Sequence, residues 1–87
     1  MVVIEKKITP EYFSKVLSGE KNFEVRLADW TCKKGDILVL REHDPKSKKY
    51  TGREIRKEVG FVLRTKALDF FSKEEVEEHG FLVIGLK

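Results

Sequence analysis

The sequence predicts a small α+β domain in which a mixed β-barrel of about five strands is flanked by two helices. Short runs of β-branched and apolar residues, typical of strands, recur from one end of the chain to the other. Two stretches with helix-capping residues lie between these runs. The 87 residues suffice for one small core, so residues 1–87 are predicted to form a single domain.

The first strand and the first helix are predicted at the start of the chain. Val2–Ile4 is short and β-branched, which favours a strand. Thr9 suits the N-cap of the helix, Pro10 its first turn and Gly19 a left-handed C-cap. The spacing of four residues predicts one apolar helix face: Tyr12, Phe13, Val16 and Leu17.

Two strands are predicted in the middle of the chain. The apolar period changes to two in residues 23–28, so Glu24 and Arg26 are predicted to share a strand face within reach of each other. A turn at 33–36 precedes the second of these strands. Residues 37–40 are continuously apolar, which favours a buried central strand.

The last two strands and the second helix follow a polar, basic loop at 43–49. Alternation of apolar and charged residues predicts a strand over 53–64, and Gly60 predicts a bulge or sharp bend within it. A capping box at Ser72–Glu75 opens a short acidic helix. Residues 81–86 are predicted to form the closing strand.

Composition excludes several classes of protein. The single cysteine excludes an internal disulfide and a thiolate zinc cluster, and we predict neither a metal nor a cofactor. No apolar run approaches the roughly 20 residues of a membrane span or the core of a signal peptide, so a cytoplasmic location without membrane contact is predicted. Abundant Lys and Glu with one Asn and no Gln resemble proteins from hyperthermophiles. The sequence leaves the oligomeric state open.

Charge is distributed unevenly along the chain, although the net charge is only +3. Residues 41–57 carry a net charge of +4, and residues 69–79 carry −4. A basic side of this kind would steer a polyanion such as RNA to one face. The alternative is that both runs are solvated surface.

The densest group of charges predicts a binding site just after the first helix. Lys21, Glu24 and Arg26 lie within six residues at the start of a predicted strand. Lys21 and Arg26 suit phosphate or a base edge, Arg26 through its planar fork. Glu24 suits an exocyclic amine such as that of cytosine. The alternative is a structural ion-pair network in which Glu24 neutralises and orients Arg26.

Further candidates border the predicted loops. Tyr50 can stack on an unpaired base, while Arg53 and Lys49 can contact phosphate. Trp30 could also stack on a base, but core packing is favoured for the chain's only Trp. His43, next to Asp44, could do acid–base work, although such a pair is common in loops without function.

The stretch Gly19-x-Lys21-x-x-Glu24-x-Arg26 resembles the G-x-K-x-x-E-x-R signature of the ASCH domains, members of the PUA-like superfamily. The likeness extends over nearly the whole chain, including the Lys-Gly-Asp turn at 34–36. Tyr50–Arg53 is similar to a small, largely uncharacterised prokaryotic ASCH-like branch. The resemblance implies a five- or six-stranded β-barrel flanked by helices, with a cleft beside the signature that binds RNA or a nucleotide-like ligand.

The same resemblance implies an enzymatic alternative. Some ASCH proteins hydrolyse acetylated cytidine, and others are ribonucleases. In the amidohydrolases a Lys, a Thr three residues later and a distant Glu carry the reaction; Lys21 matches the Lys, and Glu24 occupies the position of the Thr. Lys21 and Glu24 are thus the catalytic candidates if the protein is an enzyme. A third possibility is a protein-interaction domain that uses the basic loop.

Overall fold

The computed structural model describes residues 1–86 and has an α+β fold, as predicted. The chain forms three strands, two α-helices and one short 3-10 turn. In chain order these are β1 (Val3–Ile8), α1 (Pro10–Ser18), β2 (Ile37–Asp44), β3 (Lys49–Glu58), the 3-10 turn (Thr65–Ala67) and α2 (Lys73–His79). Within residues 1–86, neither helix has the length and apolar character needed to cross a membrane.

The three strands form one open sheet in the order β1-β2-β3. β1 pairs parallel with β2, from Val3 opposite Ile37 to Ile8 opposite Glu42, and α1 belongs to the connection between them. β3 pairs antiparallel with β2. The predicted central strand is confirmed, because β2 has a neighbour on each side and Leu38–Leu40 is buried.

The hairpin between β2 and β3 is tighter than predicted. Its loop is only Pro45–Lys48, since the backbone N–H of Lys48 donates to the carbonyl of Asp44 at 2.8 Å and the strands resume at once. β3 therefore begins earlier than predicted. It also ends at Glu58, where the Val59 N–H donates to the Asp36 carbonyl.

The irregularity in β3 lies before the predicted position at Gly60. Arg41 faces Glu54 and His43 faces Tyr50, so Glu42 alone is opposite the three residues 51–53. Gly52 has φ 96°, a left-handed value that an L side chain rarely adopts. This bulge brings the side chains of Thr51 and Arg53, on either side of Gly52, towards Glu42.

The core lies between α1 and one face of the sheet. Its buried members are Ile8, Phe13, Val16, Leu38 and Leu40. The predicted helix face is wider than the observed one, because Tyr12 is 51% and Leu17 58% exposed. A nine-residue helix crossing a sheet buries only a narrow stripe, here Phe13 and Val16.

The caps that were predicted for α1 and α2 are confirmed in part. Gly19 adopts φ 83° and its N–H donates to Val16, as expected of a left-handed C-cap. Thr9 stands at the N-cap position, but its side chain makes no capping bond. The capping box of α2 is present, since the Ser72 hydroxyl accepts from the Glu75 N–H and the Glu75 carboxylate accepts from the Ser72 N–H. The bond from the Ser72 N–H, and then the Ser72 side chain, lower the pKa of the Glu75 carboxyl.

The other two predicted strands, 23–28 and 81–86, do not form regular strands in this structure. The two segments nevertheless meet at one point, where the Asn22 side-chain amide donates to the Leu86 carbonyl. A Cβ placed on Gly85 would overlap the Asn22 side chain. The described residues thus form a three-stranded open sheet, and the five-stranded barrel stays a prediction.

Candidate functional site

The end of α1 positions the charged segment that follows it. The left-handed turn at Gly19 reverses the chain, and the Lys21 N–H then donates to the Lys15 carbonyl at 2.9 Å. The ion pair between Lys15 and Glu20, at 3.4 Å, lies across the same turn. The segment is thereby held against the helix end, although it is not a regular strand.

Glu24 is the centre of a three-residue ionic cluster, which we call the Glu24 cluster (Lys21, Glu24 and Arg26). The Lys21 Nζ lies 2.6 Å from Glu24 Oε1, and the Arg26 Nε lies 3.0 Å from Glu24 Oε2. The structure therefore brings all three motif residues together. The Glu24 side chain is 20% exposed, so the cluster is half-buried rather than a loose surface pair.

Backbone carbonyls fix the two cations of the Glu24 cluster. Lys21 Nζ donates to the Phe23 carbonyl at 2.7 Å. Arg26 Nη2 donates to the Lys7 carbonyl at 2.6 Å, which ties the segment to the end of β1. The cluster has a net charge of +1 when all three groups are ionised, and it is held rigidly enough to present that charge in one place.

A cleft of about 590 Å³ opens beside the Glu24 cluster. Its walls come from the end of β1, from α1 and from residues 20–26. Besides Lys21 and Arg26, two more cations line it, Lys7 and Lys15, and Glu20 and Glu24 are its acidic residues. The lining residues carry a net positive charge even without the Lys7 ammonium, which lies towards Tyr50 at 6.0 Å from its ring centroid, so the cleft is basic and suits an anionic ligand.

Tyr12 also lines this cleft, a position that was not predicted from the sequence. Its position in the apolar pattern of α1 predicted a place in the core. The structure instead turns the ring towards the cleft, with Lys21 Nζ over it at 5.5 Å from the ring centroid. The only signal in the sequence was the width of the apolar helix face, which is larger than a helix of nine residues can bury against a sheet.

Arg53 is engaged in a second ionic group. Its Nε and Nη2 donate to the two carboxylate oxygens of Glu42, at 2.9 and 2.8 Å, and its guanidinium lies over the Phe13 ring at 4.7 Å. The Thr51 hydroxyl donates to Glu42 as well, at 2.5 Å. Glu42 is buried, and the hydrogen bonds from Arg53 and then Thr51 lower its pKa to about 2. No sequence pattern predicted this role, since Glu42 borders a polar loop.

Tyr50 belongs to a different group from Arg53. The Arg41 guanidinium lies 3.9 Å from the Tyr50 ring centroid, His43 packs edge-on at 5.1 Å, and Lys7 Nζ is 6.0 Å away. Arg41 and Glu42 are neighbours on β2 and therefore point to opposite faces of the sheet. Tyr50 lies on the same face of the sheet as Arg41, and Arg53 lies on the same face as Glu42. The two predicted ligand-binding residues, Tyr50 and Arg53, are therefore separated. Lys49 lies beside Tyr50, opposite Asp44.

The remaining candidates have structural surroundings. Trp30 packs against the core, and Lys6 Nζ lies 4.1 Å from its ring centroid. His43 packs against Tyr50, and Asp44 accepts from the Lys46 N–H within the hairpin loop. In the part of the chain that the structure describes, no three His, Cys, Asp or Glu residues form a group that could hold a metal ion.

Comparison with known proteins identifies the family of the chain but gives no activity. A family model described as "Domain of unknown function (DUF3850)" matches residues 3–85. The chain therefore belongs to the DUF3850 family. No curated protein and no solved structure matches it significantly.

Proposed function

We propose that this member of the DUF3850 family is an RNA- or nucleotide-binding domain whose ligand occupies the cleft beside the Glu24 cluster. The observation that supports this most is the combination of three cations, Lys15, Lys21 and Arg26, with an exposed aromatic ring in one cleft of about 590 Å³. Phosphate is the anion that such a set of Lys and Arg side chains recognises best, and the aromatic ring adds a surface for a base.

Each member of the Glu24 cluster has its own role in this proposal. Arg26 uses Nε and Nη2 for Glu24 and Lys7, which leaves Nη1 to donate to a phosphate. Lys21 supplies a second positive charge deeper in the cleft, where its ammonium is held by Glu24. Glu24 orients both cations, and its remaining lone pairs accept from a polar edge of the ligand such as an exocyclic amine.

The residues predicted at the rim contribute more distant contacts. Tyr50 with Lys49 extends the basic surface past Lys7 towards the hairpin, where a longer RNA would continue beyond the cleft. Arg53 is 55% exposed and directs only part of its guanidinium at Glu42, which leaves further N–H groups for phosphate. The ligand of the proposal is intracellular, so we propose a cytoplasmic location.

The proposal extends to the fold. The resemblance to ASCH and PUA-like domains, and the approach of residues 22–23 to residues 85–86, support a barrel closed by the segments 23–28 and 81–86. Both segments and the sheet line a space of about 1530 Å³, which their side chains would fill if the barrel closed. Slow amide exchange throughout 23–28 and 81–86 would support closure; fast exchange in both would contradict it.

The enzymatic alternative draws less support from the geometry. A catalytic base must offer a lone pair, whereas the Lys21 amine donates to Glu24 at 2.6 Å and to the Phe23 carbonyl at 2.7 Å. That arrangement suits a charged ammonium, which binds and stabilises negative charge. Incubation with acetylated cytidine and with RNA separates the two classes: binding without turnover supports the binding domain, and turnover that Lys21→Ala abolishes supports the hydrolase or ribonuclease.

The experiment that tests the proposal is a binding titration with labelled RNA. Pools of single-stranded and structured RNA, together with nucleoside mono- and triphosphates, are titrated at about 50 mM salt and again at higher salt. We expect affinity that weakens as salt rises, because phosphate contacts release counterions. If no pool and no nucleotide binds at the lower salt, the proposed function is wrong.

A further inference from the structure

We infer that Tyr12 is the base-stacking residue of the cleft, so that the ligand must carry an aromatic ring as well as a phosphate. This inference rests on the proposed function and narrows its ligand class to nucleotides and single-stranded RNA with an accessible base. A polyanion without bases would not use this contact. Neither the sequence motif nor the family match assigns Tyr12 a role.

The position of Tyr12 in the helix aims it at the cleft. α1 begins at Pro10, so Tyr12 lies in the first turn, and helical side chains lean towards the N-terminal end of their helix. That end borders the cleft through Ile8 and Thr9. The neighbouring Phe13 points the other way and is only 2% exposed. Phe13 thus packs in the core, while the preceding residue, Tyr12, lines the cleft.

Burial of Tyr12 does not account for its position. The residue is 51% exposed, while the core stripe of α1 is supplied by Phe13 and Val16. Its ring is one wall of a cleft that Lys15, Lys21 and Arg26 also line. An aromatic ring left open at this place provides a flat apolar surface beside concentrated positive charge.

The contact between Lys21 and Tyr12 links stacking to phosphate binding. Lys21 Nζ lies over the ring at 5.5 Å from its centroid and over the Phe23 ring at 5.1 Å. The ammonium is thereby held between two aromatic rings and the Glu24 carboxylate. A base stacked on Tyr12 brings its own phosphate within the range of Lys21 and Arg26, so one nucleotide satisfies both parts of the cleft.

The test compares two probes of equal charge, a short single-stranded oligouridine RNA and an abasic ribose-phosphate oligomer of the same length. One stacked base strengthens binding by about 5- to 150-fold, so the wild type is expected to prefer the oligouridine by a factor in that range. Tyr12→Ala should abolish this preference and leave the dependence of affinity on salt unchanged, because no phosphate contact is removed. Tyr12→Phe should keep the preference.

Two controls separate stacking from stability. Leu17→Ala changes an exposed apolar residue of the same helix that lies outside the cleft, and it should bind both probes as the wild type does. Tyr12→Leu retains apolar bulk without an aromatic ring, so it tests stacking even if Tyr12→Ala fails to fold. Trp30 fluorescence reports the fold of each variant.

The outcomes distinguish this inference from the proposed function. If the wild type binds neither probe, the proposed function fails and the inference with it. If the wild type binds both probes equally, the cleft is a phosphate site without a stacking residue. If Tyr12→Leu keeps the preference for the oligouridine, a residue other than Tyr12 contacts the base. In either case the inference alone is wrong.

Discussion

Arg53 donates to both carboxylate oxygens of Glu42, from Nε at 2.9 Å and from Nη2 at 2.8 Å. The pair exists because the bulge at Gly52 gives β3 two extra residues opposite Glu42. Glu42 is only 3% exposed, so the interaction joins a buried carboxylate to a half-exposed guanidinium. A buried charge without such a partner would be strongly unfavourable.

The first prediction concerns stability in acid. The pKa of Glu42 is lowered from 4.5 to about 2, so between these values the unfolded chain binds more protons than the folded one. The stabilisation from Glu42 is complete above pH 4.5 and is lost as the pH falls towards 2. Urea unfolding of the wild type from pH 7 to pH 2 should show the loss, and Glu42→Gln should show a flatter profile over the same window.

The control for this prediction is Glu54→Gln, which alters an exposed carboxylate on the neighbouring strand. Asp36 also has a lowered pKa, through bonds from the Lys33 and Val2 N–H groups, and it contributes to the wild-type slope in every variant. The difference between variants therefore isolates Glu42. Parallel profiles for the wild type and Glu42→Gln below pH 4.5 would contradict the assigned role.

The second prediction concerns the contact between residues 22–23, which precede Glu24, and Gly85 near the end of the chain. A Cβ at Gly85 would overlap the Asn22 side chain and approach the Phe23 ring to 2.9 Å. Gly85→Ala should therefore displace the Asn22 side chain from the Leu86 carbonyl and lower the unfolding free energy by about 1 kcal/mol, the typical net contribution of one hydrogen bond. Because Asn22 and Phe23 lead directly to Glu24, the variant should also weaken RNA binding.

The matched control is Gly60→Ala, where an added Cβ meets nothing within 4 Å and φ is not left-handed. This variant should be neutral or stabilise by about 0.4–1 kcal/mol, because alanine restricts the unfolded chain. Urea unfolding midpoints and RNA titrations of both variants check the pair. Equal effects of the two substitutions would show that residues 22–23 and 85 do not meet in solution.

The third prediction concerns Glu24. Replacing it with Gln removes a negative charge between two cations, so affinity for any phosphodiester chain should rise by about 5-fold or more at low salt. Discrimination among the four bases should fall, because the carboxylate acceptor is lost. Titrations with the four homopolymeric RNAs measure both effects. Unchanged discrimination among the four bases would contradict the role of Glu24 as an acceptor for the base edge, and weaker binding of all four would show that its orientation of Lys21 and Arg26 outweighs the charge that it removes.

The fourth prediction follows from composition. Lys- and Glu-rich chains with few amide side chains are typical of hyperthermophile proteins, whose ion-pair networks gain importance as temperature rises. The Glu24 cluster and the Glu42–Arg53 pair are such interactions. We expect thermal unfolding above the roughly 45–65 °C range of mesophilic domains. A calorimetric midpoint near 50 °C would contradict this interpretation.

Local signals were sufficient to predict much of the fold. The cap at Gly19, the capping box at Ser72 and the apolar run of β2 depend on near neighbours in the chain, and the structure has each of them. The bulge at Gly52 could not be located in the same way, because it depends on the register between β2 and β3. A glycine in an alternating segment indicates that a bulge can form there, but the sequence does not show whether the bulge lies at Gly52 or at Gly60.

The candidate site was predictable to a similar extent. Glu24 and Arg26 lie two residues apart, so a nearly extended backbone places them within reach whether or not the segment joins a sheet. The separation of Tyr50 from Arg53 depends on which face each strand position occupies after the bulge. The exposure of Tyr12 depends on how much of α1 the sheet covers, which sequence periodicity does not determine.

The most direct test of the central claim is a fluorescence anisotropy titration of single-stranded RNA with four proteins: the wild type, Lys21→Ala, Arg26→Ala and Lys66→Ala. Lys66→Ala removes the same charge outside the cleft and is expected to bind within about 2-fold of the wild type. Lys21→Ala and Arg26→Ala should each weaken binding at least about 5-fold at 50 mM salt, and each should reduce the salt slope by about 0.7, the value for one phosphate contact on a single strand. Affinities and slopes that are the same for all four proteins would contradict the assignment of this cleft as the RNA-binding site.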